Sequence, residues 1–184
     1  MRLANKVAVI TGAASGMGAA TARIFAREGA AVVVADILED EGRALTEELL
    51  ATGARAQFHK LDISSEADWQ SLLEARPLPG DKIDILVNNA GISGSDPDLL
   101  SLDVWHRQMN INATGTFLGM RAVIPVMQRH GGGSIINLSS ISGVAGQAFI
   151  HMGYNASKGA IRTMSKAAAV QFAGDGIRVN SVHP

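Results

Sequence analysis

Cysteine is absent from the chain, which excludes disulfides, thiolate metal sites, iron–sulfur clusters and cysteine nucleophiles. Aromatic residues make up only 4%, with one tyrosine and two tryptophans, and Trp69 and Trp105 do not form a stacking platform for bases. Neither sign of charge dominates: 16 Lys and Arg face 17 Asp and Glu, a net charge of −1. There is thus no basic field for nucleic acid and no polybasic patch for an anionic membrane. No stretch reaches the roughly 18 apolar residues of a membrane span, and the segment 1–6 lacks the apolar core of a signal peptide. A cytoplasmic protein is the expectation. The histidines at 59, 106, 130, 151 and 183 show no metal-ligand spacing, so no metal site is expected. They read as surface or loop residues, with His151 placed to line a substrate pocket. Disorder is excluded as well, since 47% of the 184 residues are apolar and 18% charged. That length suits one domain with a buried core, spanning 1–184.

Glycine is in excess at 20 residues, against roughly 7% in ordinary chains, and it falls where loops would leave strands. Val7 to Thr11, Ala31 to Ala35, Ile83 to Val87, Ser134 to Leu138 and Ile177 to Val182 read as strands. They are apolar without alternation, as parallel strands buried on both faces are. Ala56 to Leu61 is a weaker strand. Helical patterns separate them: Gly18 to Glu28 ending at Gly29, Glu39 to Ala51, and Glu66 to Glu74 with Ser65 as a natural N-cap. Two long ones follow, Leu102 to His130, which Pro125 should bend near its end, and Gly153 to Phe172 before Gly174. This alternation implies an α/β fold, a parallel sheet wound on both faces by helices. Arg76-Pro77-Leu78-Pro79-Gly80 reads as a short loop.

The first strand runs into Thr11-Gly12-Ala13-Ala14-Ser15-Gly16-Met17-Gly18 and then a helix. Glycines at 12, 16 and 18 let the backbone turn tightly and approach a pyrophosphate whose charge sits at the helix N-terminus. The spacing G-x-x-x-G-x-G differs from G-x-G-x-x-G, and a ligand-free strand-to-helix turn would also use it. Asp36 ends the second strand, where a carboxylate accepts from adenosine ribose hydroxyls and repels a 2′-phosphate. Ile37 and Ser15 offer that phosphate no cation, which points to NAD rather than NADP; Asp36 capping the next helix is the plainer alternative. Asp62, with Ile63, would lie near the adenine, and Asn88-Asn89-Ala90-Gly91 against the cofactor, although the latter can be a simple turn. Met17 would shield the cofactor.

Tyr154 and Lys158 are spaced to stack on one helix face, one turn apart. A phenol is a poor base near neutral pH, but a neighbouring ammonium favours the phenolate, and the pair can then exchange a proton with an alcohol or carbonyl. Ser139 and Ser140 end the strand upstream, where a hydroxyl can bond the reacting oxygen or cap the loop. Asn112 can hold a water linking Lys158 to solvent, or be an amide packed between helices.

The ordered set Thr11-Gly12-x-x-x-Gly16-x-Gly18, Asp36, Asn88-Asn89-Ala90-Gly91, Asn112, Ser140, Tyr154-x-x-x-Lys158 and Arg178-Val179-Asn180 resembles the short-chain dehydrogenase/reductase family over the whole chain. The resemblance implies a Rossmann-type sheet and hydride transfer between NAD(H) and a secondary alcohol or ketone. It implies Tyr154 as acid/base, Lys158 as the residue that lowers its pKa and holds the nicotinamide ribose, Ser140 as the carbonyl's partner, and Asn112 in a proton relay. Ser140 is preferred to Ser139 because the family serine precedes a glycine by three residues, here Gly143. Family members continue past Asn-x-x-x-Pro into a substrate lid and a last strand, so a C-terminally truncated polypeptide is expected. The two long helices imply a homodimer or homotetramer. Arg178 to Pro184 and Ser65 to Trp69 are most similar to members that oxidise ring alcohols, hydroxysteroid and alicyclic alcohol dehydrogenases. Two readings stay open beside this one: a 3-oxoacyl thioester reductase, and a truncated, inactive chain that only binds NAD or dimerises.

Overall fold

The computed structural model describes residues 1–75, 81–94 and 96–184; the expected loop Arg76 to Gly80 lies outside the described residues. Six parallel strands form one sheet: β1 Val7–Thr11, β2 Ala31–Asp36, β3 Arg55–Lys60, β4 Ile85–Asn88, β5 Gly133–Leu138 and β6 Ile177–Val182. Their order is β3-β2-β1-β4-β5-β6, so the chain winds outward from β1 in one direction and from β4 in the other. Between β1 and β4 the winding reverses, and loops leaving their C-terminal ends diverge to opposite faces and open a crevice.

The helices are α1 Gly16–Arg27, α2 Glu39–Ala51, α3 Glu66–Glu74, α4 Leu102–Gln108, α5 Gly115–Arg129 and α6 Met152–Gln171. Successive strand residues point to opposite faces, and the core divides accordingly. Ala8, Ile10, Val32 and Val34 pack with Ala19 and Ala22 of α1 and Leu45 and Leu49 of α2. Val9, Val33, Leu86 and Ile135 pack on the other face with Trp69, Leu72, Leu118, Val123, Met127 and Ala168, carried by α3, α5 and α6. The Rossmann-type sheet with helices on both faces is therefore as expected. The edge strand β3 carries exposed Arg55, Gln57 and Lys60, which explains its weak apolar signal.

A buried polar tie crosses the second core. Asn88 and Asn137 are register partners on β4 and β5. Asn88 Nδ2 donates to Asn137 Oδ1 at 2.9 Å, and Asn137 Nδ2 donates to Ser165 Oγ of α6 at 2.9 Å. Such buried networks fix one arrangement of their elements.

The expected long helix from Leu102 to His130 is instead broken by a π-helical turn over Met109–Thr114. α5 runs on through Pro125 to Arg129, so the irregularity lies at Asn112 rather than at the proline. At Asn112 a side chain reaches out of the helix to the β4 loop, and π turns commonly occur at such sites. The left-handed residue after α6 is Gly176, with φ 71°, and Gly174 lies inside a short 3₁₀ turn.

α5 lies close to β4 because Gly119 faces the sheet: a Cβ there would collide with Asn88 Oδ1 and come within 2.9 Å of the Trp69 ring. Gly119→Ala therefore destabilises the chain by about 1–3 kcal/mol despite alanine's better helix propensity. Urea unfolding followed by tryptophan fluorescence measures it, and an unchanged midpoint would contradict this packing.

Candidate active site

The glycine loop is held from below by the loop leaving β4. Thr11 Oγ1 accepts from the main-chain N–H of Asn89 at 3.1 Å and of Ala90 at 3.0 Å. Asn89 Nδ2 donates to the carbonyls of Thr11 at 2.9 Å and Gly12 at 3.1 Å. Gly12 has φ 64°, and a Cβ there would sit 2.8 Å from Ala90 Cα. Gly18 packs so tightly on the Gly12 carbonyl that a Cβ would collide with it. Gly16, at φ 52°, has nothing within 4 Å of its Cβ direction, so the loop is closed underneath and open above.

α1 begins under this opening. Ser15 stands at its N-cap without a side-chain capping bond, and no acidic residue occupies the first turn. Its first main-chain N–H groups lack side-chain acceptors, and together with the helix dipole they suit an anion such as a pyrophosphate. Asp36 is buried at the end of β2. Its Oδ2 accepts from the Ala14 N–H at 2.9 Å and its Oδ1 from the Leu38 N–H at 3.0 Å. It thus both shapes the glycine loop and starts the turn into α2, while a carboxylate's further lone pairs remain for ribose hydroxyls.

A cleft of about 450 Å³ collects nearly all the expected cofactor residues: Gly12, Ser15, Gly16, Met17, Asp36, Ile37, Asp62, Ile63, Asn89, Ala90 and Gly91. Gly18 lies beneath it. Asp62 is engaged locally, accepting from the N–H and hydroxyl of Ser64 at 2.8 and 2.7 Å. Leu38, Leu61, Ile92 and Ile111 also line the cleft but were not legible in the sequence, where they look like any core residue. The open loop, uncapped helix and strand-end carboxylate fit a dinucleotide.

A second hollow of about 270 Å³ shares Met17, Asn89 and Gly91 with this cleft and adds Ser140, Tyr154 and Lys158. Lys158 Nζ lies 5.7 Å from the centre of the Tyr154 ring and donates to the Leu138 carbonyl at 2.7 Å. Burial pushes this ammonium down from 10.5 to about 8. The two serines differ. Ser139 Oγ donates to the Lys158 carbonyl at 2.8 Å, spending its proton on α6, whereas Ser140 Oγ accepts from the Ser142 N–H at 3.2 Å and donates a longer bond of 3.5 Å to the Pro184 carbonyl; both serines border the hollow.

Asn112 is buried, and its amide clamps the β4 loop: Oδ1 accepts from the Ile92 N–H at 2.8 Å, and Nδ2 donates to the Ile92 carbonyl at 2.9 Å and to Ser157 Oγ at 3.1 Å. Both side-chain N–H groups are spent, as in the packed-amide reading. A Cβ at Gly91 would lie 2.9 Å from Asn112 Oδ1 and 3.6 Å from Lys158 Nζ, so the two side chains flank the same glycine. His151, expected to line a substrate pocket, borders neither the cleft nor the hollow; it is 2% exposed and caps α6. Among the described residues no group of three or more His, Asp or Glu is placed to hold a metal ion, and no helix is long and apolar enough to cross a membrane.

The same architecture recurs in known proteins. A family model for short chain dehydrogenases matches residues 6–184. The chain is 44% identical to a 3-alpha-(or 20-beta)-hydroxysteroid dehydrogenase of Mycobacterium bovis, over 100% of this chain and 69% of the relative. It is 46% identical to a trans-4-hydroxycyclohexanecarboxylate dehydrogenase of Sinomonas cyclohexanicum, over 100% of this chain and 73% of that protein. A crystal structure of gluconate 5-dehydrogenase from Burkholderia cenocepacia, in complex with NADP and tartrate, superposes with a TM-score of 0.92 at 34% identity, covering 100% of this chain and 72% of that one. The chain belongs to the short-chain dehydrogenase family.

Proposed function

We propose that this chain interconverts a ring-borne secondary alcohol and its ketone with NAD(H). The observation that carries the reading is the meeting of Ser140, Tyr154 and Lys158 in one hollow continuous with the dinucleotide cleft. Gly12, Gly16 and the start of α1 would hold the pyrophosphate, Asp36 the adenosine ribose, and Tyr154 and Lys158 the nicotinamide ribose. When bound, the nicotinamide supplies the hydride acceptor or donor.

The chain's own residues move the proton. In oxidation, Tyr154 takes the alcohol's proton while Ser140 Oγ bonds the reacting oxygen; in reduction, the phenol returns a proton to the carbonyl. The Lys158 ammonium stands beside the ring, 5.7 Å from its centre, on the same hollow. Asn112 holds the Gly91–Ile92 segment against Lys158. An alicyclic substrate is supported by the two relatives' names. The gluconate 5-dehydrogenase structure contains NADP, whereas here Asp36 and Ile37 line the cleft where a 2′-phosphate would need a cation; this favours NAD. A copy of the chain docking through α5 and α6 would give the homo-oligomer.

Tyr154→Phe lowers kcat for a cyclic secondary alcohol by roughly 10²- to 10⁴-fold; full activity would reject the mechanism. Asp36→Asn narrows the preference for NADH over NADPH by about tenfold in fluorescence titrations, because a charge repelling the 2′-phosphate is removed. An unchanged ratio would remove Asp36 from selectivity.

Lys158 makes a separable prediction about stability. Its folded-state value of about 8 lies below the ordinary 10.5, so the unfolded chain binds the proton more tightly and the charged side chain opposes folding below about pH 8. That opposition fades as pH rises from about 8 to 10.5. Lys158→Met therefore stabilises the ligand-free chain at neutral pH by up to about 3 kcal/mol, and the gain shrinks above pH 8. Urea unfolding across that range tests it; a destabilised variant would show that the ammonium supports the fold.

A further inference from the structure

Tyr154 lies in the first turn of α6, which spans Met152–Gln171. The first four N–H groups of a helix have no intrahelical acceptor, and the first turn frays unless something caps it. The cap here is His151, whose Nδ1 accepts from the Gly153 N–H at 2.9 Å. The His151 carbonyl accepts from the Tyr154 N–H at 3.0 Å, so a side-chain bond and a main-chain bond that close this turn run to one residue.

Histidine is not a usual N-cap; Ser, Thr, Asp and Asn dominate that position. The ring is 2% exposed and sits where α6 crosses α4. A Cβ at Gly153 would lie 2.7 Å from Gln108 Oε1, 3.0 Å from Trp105 Cα and 3.1 Å from His151 Nδ1. The capped turn is thus pressed onto α4 with no room for adjustment. Because Nδ1 accepts, the neutral ring carries its proton on Nε2, and neither that atom nor Gln108 Oε1 has a hydrogen-bond partner among the described residues. A buried polar edge left unmatched is costly, and the capping nitrogen is the polar atom of this ring that has a partner.

The remainder of α6 is anchored independently. Asn155 Nδ2 donates to the Ser142 carbonyl at 3.0 Å, Ser157 Oγ accepts from Asn112 Nδ2 at 3.1 Å, and Lys158 Nζ is held on Leu138. Only the side of Tyr154 toward the N-terminus depends on the cap. We propose that His151 is a positioning residue, holding Tyr154 in register with Ser140 and Lys158 through the Nδ1 cap on the first turn of α6. The proposal rests on Tyr154 being the acid/base, where a displacement of about 1 Å is enough to slow a proton transfer.

Tyr154 is the only tyrosine in the chain, so ¹³C-tyrosine labelling of the full chain gives one ring environment that reads its position without cofactor or turnover. His151→Ala is expected to shift or broaden that signal and to lower kcat about tenfold, with KM for the alcohol and affinity for NADH changed by less than about twofold. His151→Asn, which restores a capping acceptor, returns signal and kcat to parent values. The proposal is overturned if His151→Ala melts earlier but keeps the parent signal and kcat, or if folded His151→Asn is as impaired as a cap-less variant. Should His151→Ala not fold, His151→Asn decides alone: parent-like signal and kcat support the cap, and a tenfold loss of kcat rejects it. Full turnover by Tyr154→Phe would reject the acid/base reading instead, and the ring signal would still report whether His151 positions that side chain.

Discussion

The hydrogen bonds between Thr11 and the Asn89–Ala90 segment hold together everything else at the sheet's working edge. One hydroxyl accepts two main-chain N–H groups, and one amide returns two bonds to the glycine loop. These bonds join the two oppositely wound halves of the sheet at the point where they part. They force the Gly12 backbone down onto Ala90, and the loop above is left facing outward with α1 beginning beneath it. Asp36 completes the cradle from the far side through the Ala14 N–H. The crevice is therefore a product of a few buried polar bonds between loops, supported by two apolar cores that carry no chemistry of their own.

Electrostatics at the catalytic end follow from burial. Lys158 is driven down by desolvation, not by a neighbouring cation, and the atom that accepts from it is a main-chain carbonyl. A charge held in this way opposes the folding of its own surroundings. That is the expected trade between stability and activity at a site built to hold charge.

The sequence displayed the architecture well because its signals were local. Strand runs, glycine placement, the Ser65 cap and the Tyr154–Lys158 spacing each depend on neighbours within one or two turns. The features it concealed depend on elements far apart in the chain. Nothing in Met109 to Thr114 differs from an ordinary helix until Ile92 is beside it to receive the Asn112 amide. Ser139 and Ser140 are equivalent as letters and are separated only by which of them meets the α6 backbone. His151 reads from sequence as a pocket-lining residue because its burial comes from α4, more than 40 residues earlier in the chain, packing against the turn that it caps. Asp36 satisfied two readings together: it shapes the loop and remains available to a ribose, and a sequence offers no way to weigh these against each other.

The all-parallel order β3-β2-β1-β4-β5-β6 also bears on how the molecule assembles. It contains no hairpin, so every strand pair waits on a complete crossover, and contacts of large sequence separation slow folding. The contact that closes the cleft joins residues 78 positions apart. The β1–β2 half carries the glycine loop, the start of α1 and Asp36, but the floor under that loop, Asn89 and Ala90, comes from the other half. A dinucleotide can thus recognise only the fully joined sheet, and its binding would stabilise the global fold by mass action rather than stiffening one loop.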